Sequence, residues 1–311
     1  MQKDYLFQST FLERNRERLG WFTYPVFMAG FTWLYFWGLA AGFAVETWVV
    51  AVTVINFFTT LLVEQLLPRD RTMNYMRDGQ SWNDIGHGIM QAISRPLVQS
   101  ASILLFALLN EVRLEHFDQC WPAQWHFAAQ FALALLIGSF MDYVVHRSFH
   151  TFDRLWYFHA IHHDTPQMHI MKSARVHFGE EIINSAIKPL PLILLGAPTE
   201  IIVFLGMWTV FDGNMVHANI HQRFPGWFHY VMGTVHLHNL HHAQDRKYQD
   251  SNYSGSLPVW DVLFRTYNHP DRSTLGELGL ADNSVPPGFL AQVFYPFKSQ
   301  FTLRRNPQQV Q

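Results

Sequence analysis

Between His146 and His242 this chain gathers ten of its eighteen histidines into four groups with repeated spacing: His146-x-x-x-His150, His159-x-x-His162-His163, His217-x-x-x-His221 and His238-x-x-His241-His242. On a helix, residues three and four apart share a face, so each group can aim its imidazoles at a common spot. Neutral imidazole is a ligand for iron, zinc, copper and nickel. A lone histidine is ordinarily a packed or solvated residue, but two H-x-x-H-H and two H-x-x-x-H runs in one segment are not explained by packing. A tetrahedral zinc takes four ligands in a closed site and three in a catalytic one, so ten nitrogens point to a two-metal site, and to iron. All ten histidines are therefore expected to hold metal and to be essential for catalysis.

The rest of the chain must place these groups together, and its composition says where. Of 311 residues, 49% are hydrophobic, 16% aromatic and only 15% charged, against roughly 25% charged in a typical soluble domain. This is a membrane composition. A net charge of −2 supplies no basic footprint for nucleic acid. The single cysteine, Cys120, can form neither an internal disulfide nor a thiolate cluster.

Residues 1–20, with Lys3, Arg14, Arg16 and Arg18 and no signal-peptide pattern, read as a cytosolic arm. Apolar runs at 21–45, 47–67, 85–109 (interrupted by Arg95-Pro96) and 123–145 are each long enough to cross a bilayer. Arg69, Arg71 and Arg77, and later Arg147, Arg154, Lys172 and Arg175, place both termini and the histidines on the cytoplasmic side. The apolar stretch 182–216 separates the second histidine group from the third. It must return to the side it leaves if the groups share a site, and Pro189, Pro191 and Gly196-Ala197-Pro198 divide it into two helices of about 14 and 18 residues. The expected fold is all-α, with about four transmembrane helices within 21–145, a cytosolic His-rich di-metal cap in a catalytic region at 123–267, and a tail at 268–311. Within the tail, aromatic-rich 289–301 is expected to pack on the catalytic region or the membrane surface.

The order of the histidine groups, with Asp142-Tyr-Val-Val-His146-Arg147, Leu155-Trp156-Tyr-Phe-His159, Arg175-Val-His177, His217-Ala-Asn219, Asp250-Ser-Asn252-Tyr253 and Trp260-Asp261-Val-Leu-Phe264-Arg-Thr266-Tyr267, resembles the fatty acid hydroxylase/sterol desaturase superfamily over about residues 123–267. The resemblance implies a helical membrane fold with four spans and a cytosolic cap holding two non-haem irons. It also implies O2-dependent attack on an unactivated C–H bond of a lipid, giving an alcohol or, in some members, a double bond. Two positions depart from the pattern. Ser254 stands where glycine often follows the tyrosine, and His221 occupies a position that is not histidine in many bacterial relatives, which sets it apart from the other nine.

O2 activation needs a redox-active metal with open positions in a site shielded from water. Neutral imidazoles leave the metal charge uncompensated, so nearby acids matter. Asp142, one turn before His146, is expected to accept its second ring N–H. Asp153, Glu180, Asp212 and Asp245 could act similarly, or could as readily cap helices or sit in solvent. His177 is a candidate supporting residue and His236 an alternate ligand. Trp156, Tyr157 and Phe158 could line a substrate entrance or mark the interface.

Without a His-Pro-Gly-Gly haem motif, electrons must come from a separate ferredoxin or cytochrome b5-type donor. The lipid could be a fatty acyl chain, a sterol, an ether lipid or a carotenoid. A bacterial inner membrane is the expected location, with the endoplasmic reticulum as the alternative. Rival readings are a desaturase of the same superfamily, a membrane zinc hydrolase, which lacks its H-E-x-x-H signature here, and a haem or quinone electron-transfer protein, whose histidines would be sparse and inside the spans.

Overall fold

The computed structural model describes residues 10–116 and 120–299. Four long helices form, α1 (Thr10–Ala40), α2 (Val45–Leu66), α3 (Ser81–His116) and α4 (Phe127–Thr151), with α1 continuing through Pro25 and α3 through position 96. Eight shorter helices follow: α5 (Asp153–His163), α6 (Phe178–Ile187), α7 (Leu190–Leu194), α8 (Thr199–His217), α9 (Val235–His241), α10 (Arg246–Gln249), α11 (Val259–Leu263) and α12 (Phe289–Ser299). No strand occurs among the described residues, where β-structure is confined to the isolated bridges Pro68–Ile220 and Ala243–Leu278.

Among the described residues, α2 and α4 are long and apolar enough to cross a bilayer. Of the other two expected spans, 21–45 covers the later part of α1 and the turn after it, where Trp, Tyr, Thr and Gly dilute the apolar run without any charge, and 85–109 lies inside α3, where Arg95 interrupts it. In α3, Asp84, His87 and Gln91 are buried against protein, and Arg95 pairs with Glu181 of α6 at 3.2 Å. The expected N-terminal arm also changes character, since α1 already begins at Thr10. Residues 1–9 lie outside the described residues.

α1 and α2 form a tight hairpin. Gly42, at φ 87°, makes the left-handed turn that side-chain-bearing residues resist. Gly38 admits Trp48 of α2, because a Cβ there would stand 2.0 Å from the indole. The Trp48 Nε1–H donates to Tyr35 O at 3.1 Å. The hairpin packs on α8 through Tyr24, Met28, Phe31, Phe204, Phe211 and Met215. Its outer face leaves Phe22, Trp33 and Phe58 more than 60% exposed, as a lipid-facing surface requires.

The 182–216 stretch turns back on itself, as its proline and glycine breaks predict. Its first arm is the pair α6 and α7, the reversal is Gly196 (φ 80°) to Pro198, and α8 returns beside α2 and α4. α12 packs on the catalytic region. Tyr295 meets Tyr157 at 5.6 Å and Phe297 meets Phe158 at 5.8 Å, while residues 300–301 lie outside the described residues.

Candidate metal centre

The end of α4 presents His146 and His150, α5 presents His159, His162 and His163, α8 ends on His217, and α9 carries His238 and His241 with His242 at its C-terminal cap. These nine imidazoles form two groups. One nitrogen from each of His146, His150, His159, His163 and His241 lies within 4.8 Å of the others, and the same holds for His162, His217, His238 and His242. The groups abut, with the His163 and His242 rings stacked at 4.4 Å.

Each H-x-x-H-H run therefore serves both groups instead of converging on one spot. Consecutive residues point about 100° apart on a helix. Thus His159 and His163 (i, i+4) enter the first group while His162 turns to the second, and His238 and His242 enter the second while His241 turns to the first.

Hydrogen bonds fix the tautomers. His146 Nδ1 lies 2.6 Å from Tyr253 O, His241 Nδ1 2.8 Å from Ser251 O, His162 Nδ1 3.2 Å from Arg175 O, and His217 Nδ1 2.6 Å from Gly213 O. His159 Nδ1 meets Glu180 Oε1 at 3.0 Å and His150 Nδ1 meets Asp250 Oδ1 at 3.2 Å. Carbonyl and carboxylate oxygens accept only, so in all six rings Nδ1 carries the proton and Nε2 presents a lone pair.

Those lone pairs face one another, His146 Nε2 to His159 Nε2 at 2.9 Å and His162 Nε2 to His217 Nε2 at 3.2 Å. The Nε2 atoms of His150 and His241 are buried with no hydrogen-bond partner. Facing lone pairs repel unless a cation lies between them, so the donor set fits metal ions. Burial, reinforced by neighbouring imidazoles, holds His162, His163, His238 and His242 well below the ordinary histidine range and brings His241 down to about 3. The ligands are neutral, as coordination requires.

Two expectations are corrected. His221 joins neither group. Its i, i+4 relation to His217 holds only if the helix continues, and α8 stops at His217, with Ala218 extended at ψ 137°. Ile220 then bridges to Pro68, and His221 Nε2 lies 3.4 Å from Glu17 Oε1. Asp142 does not orient His146. Its carboxylate accepts from Gly255 N at 2.9 Å and pairs with Lys188, and the backbone oxygen of Tyr253 takes the imidazole N–H instead.

The other candidates also find places. Glu180 contacts His159, Asp212 takes hydrogen bonds from Tyr24 and Ser256, and Asp245 caps α10. His177 caps α6 by accepting from Gly179 N at 2.9 Å, and His236 stands outside both groups, with Nε2 on Gln222 O. Asp78, Asp84 and His169 also cluster, but Lys172 and Arg175 already neutralise the two acids.

The residues that sequence reading missed are backbone acceptors. Asn252 sits in the left-handed region at φ 52°, between the two residues whose carbonyls meet His241 and His146. Asp261 clamps this turn, accepting from Tyr253 N and Ser254 N at 2.8 Å each and from Thr266 Oγ1 at 2.7 Å. The Asn-Tyr and Trp-Asp segments carried the signal, without revealing that they act through main-chain oxygens. Asp261→Ala is expected to weaken metal binding about 10- to 100-fold by releasing those carbonyls. Metal titration of the purified variant checks this, and unchanged affinity would contradict the assignment.

A model of the fatty acid hydroxylase family matches residues 131–266. The ornithine lipid hydroxylase OlsE of Rhizobium tropici is 33% identical over 242 residues, covering 76% of this chain and 71% of that protein. Alkylglycerol monooxygenases of Homo sapiens and Danio rerio are 25% and 27% identical over 55% and 58% of this chain, which spans only 37% and 39% of their length. No solved structure matches. Histidine pattern, family match and relatives agree: the chain belongs to the fatty acid hydroxylase family.

Proposed function

We propose that this protein is a membrane-bound di-iron oxygenase that hydroxylates an unactivated C–H bond of a lipid. The observation that carries the reading is the pair of abutting imidazole groups, five and four nitrogens, with lone pairs turned inward. The hydroxylase and monooxygenase relatives support the lipid substrate and the reaction type. His146, His150, His159, His163 and His241 would hold one iron, and His162, His217, His238 and His242 the other. Two irons there would supply the reduction of O2 and the oxidising power for C–H attack.

The chain's own residues shield and orient. Trp156 lies 5.1 Å from His150 and 5.4 Å from His163, and Tyr253 lies 5.1 Å from His150, so aromatic faces cover the first group. His163, His241 and His242 have no solvent exposure. Such a dry site protects the oxidant from water. Glu180 and Asp250 place negative charge against His159 and His150, offsetting part of the metal charge.

Hydroxylation consumes R–H, O2, two electrons and two protons and yields R–OH and water. The electrons come from a ferredoxin or cytochrome b5-type donor. The protein is read as a multi-pass protein of the bacterial inner membrane with the cage on the cytoplasmic side, supported by the two apolar helices and the distribution of basic residues.

Turnover under ¹⁸O2 tests the reaction. An alcohol carrying one ¹⁸O is expected. An unlabelled double bond would assign desaturation instead, and an unlabelled alcohol would mean that water is the oxygen source and overturn the oxygenase reading.

A further inference from the structure

A cleft of about 450 Å3 outside the cage is lined by Arg16, Arg69 and Arg71 with His236, Met73 and Leu275. The acids around it are engaged, one of them by a cleft arginine. Glu13 pairs with Arg71 at 2.6 Å, Glu17 with Arg223, and Asp70, which also lines the cleft, accepts through Oδ1 from Thr72 N at 2.8 Å and Thr72 Oγ1 at 2.7 Å. Among the described residues no carboxylate lies within ion-pair distance of Arg16 or Arg69. Arg16 is fixed by Nη2 on the carbonyls of Pro68 and Arg69, and its Nε is buried with no hydrogen-bond partner. Burial lowers the Arg69 guanidinium from its ordinary range. Asp70 and Glu64 offset part of the Arg69 charge and Glu13 that of Arg71, so the cleft keeps an excess of positive charge centred on Arg16 and Arg69.

Their depth is set by the helices. Arg16 lies within two turns of Trp21 and Phe22, which are 42% and 63% exposed. Arg69 follows the end of α2, whose last turns expose Phe58 and Leu62 at 61% and 50%. Lipid-facing side chains thus begin within about 10 Å of the cleft along either helix, so the cleft opens at headgroup level. Its floor is tied to the metal centre. Asn219, two residues after His217, donates through Nδ2 to Asp70 O at 2.7 Å and Met73 O at 2.8 Å. His236 and His238 sit on α9 about 200° apart, with only the width of that helix, about 10 Å, between cleft and cage.

We propose that this cleft binds the anionic group, phosphate or carboxylate, of a lipid headgroup, and holds by its head the lipid whose chain reaches the cage. The link to the substrate rests on the lipid-hydroxylase reading, whereas the binding site does not. Size favours a headgroup over an acidic protein, because a stable protein interface needs about 1,200 Å2 or more of buried surface and not a pocket with donors inside it.

The test is native mass spectrometry of the full-length protein in detergent, offered dioleoylphosphatidylglycerol or dioleoylphosphatidylcholine, without O2 or reductant. Both lipids carry the phosphate, but the quaternary ammonium of choline cancels its charge and is repelled by the arginines, so phosphatidylglycerol is expected to be retained at least about tenfold better. Arg16→Gln and Arg69→Gln should each lose that preference, while Arg69→Lys keeps much of it and Arg18→Gln, exposed on α1, keeps all of it. Equal retention of the two lipids, or retention by both glutamine variants, overturns the proposal. Displacement of the lipid by inorganic phosphate at equal concentration assigns the site to a free anion and overturns it too. If the glutamine variants fail to fold, the wild-type comparison and the lysine variant still decide. Because no turnover is involved, failure of the ¹⁸O2 experiment leaves this result intact, and the reverse also holds.

Discussion

Alanine at His159 or at His238 is expected to abolish hydroxylation, while alanine at His221 leaves it nearly unchanged. His159 Nε2 lies 2.9 Å from His146 Nε2 and 3.2 Å from His163 Nε2, and His238 Nε2 lies 2.8 Å from His217 Nε2 and 3.1 Å from His242 Nε2, so each stands at the centre of its own group. No other side chain can replace the missing nitrogen, because the neighbouring imidazoles already turn a nitrogen of their own into one of the two groups. Losing a supporting hydrogen bond costs about 10- to 100-fold in metal affinity or activity, and losing a ligand should exceed that. His221 lies instead against Glu17 and Gly20 at the start of α1. A substitution away from the site usually changes stability by no more than about 0.5 kcal/mol, so turnover should stay within about threefold. The measurement is product formation per folded protein, with metal content determined on the same samples. Full activity in His159→Ala or His238→Ala would remove the cage as the reaction centre. Loss of activity in a well-folded His221→Ala would return His221 to it.

The contrast between His221 and the other nine shows where sequence reading ends. The i, i+3 and i, i+4 spacings were legible because they are local. Where α8 stops was not, since that depends on Glu64, far away in the sequence, whose Oε2 accepts from both Ile170 N and Asn219 N at 2.8 Å. Tertiary hydrogen bonds pull the chain out of the helix at Ala218, and no periodicity records them. The same limit applies to Asp142. A carboxylate four residues before a histidine suggests contact, but the competing acceptor is a main-chain oxygen more than a hundred residues later. Apolarity marked α2 and α4, the two described helices long and apolar enough to cross a bilayer, and marked the ends of the runs poorly. The turn at Gly42 falls inside the uncharged run 21–45, and α1 extends back to Thr10 through charged residues that a helix can carry outside lipid.

Asp84→Ala is expected to destabilise the fold by about 3–5 kcal/mol, the usual cost of leaving a buried charge without its partner. Asp84 Oδ2 takes Lys172 Nζ at 2.8 Å and Asp84 Oδ1 takes Arg175 Nη1 at 3.0 Å, with all three side chains fully buried. Lys172 would keep Asp78 at 2.6 Å, and Arg175 would keep Asp164 at 3.0 Å and Ile161 O at 2.8 Å. These remaining contacts hold the cost to a few kcal/mol and keep the variant foldable. The damage should nevertheless be directional. Arg175 O is the acceptor for His162 Nδ1, so a shift of Arg175 disturbs the four-nitrogen group, whereas the partners of the five-nitrogen group, Tyr253, Ser251, Glu180 and Asp250, lie on other elements. Denaturant unfolding in detergent gives the stability change, and metal analysis of the folded fraction should find one site depleted before the other. A change below about 0.5 kcal/mol, the scale of a neutral surface substitution, would show that the cluster does not depend on Asp84. Equal depletion of both sites would show that Arg175 does not act through His162.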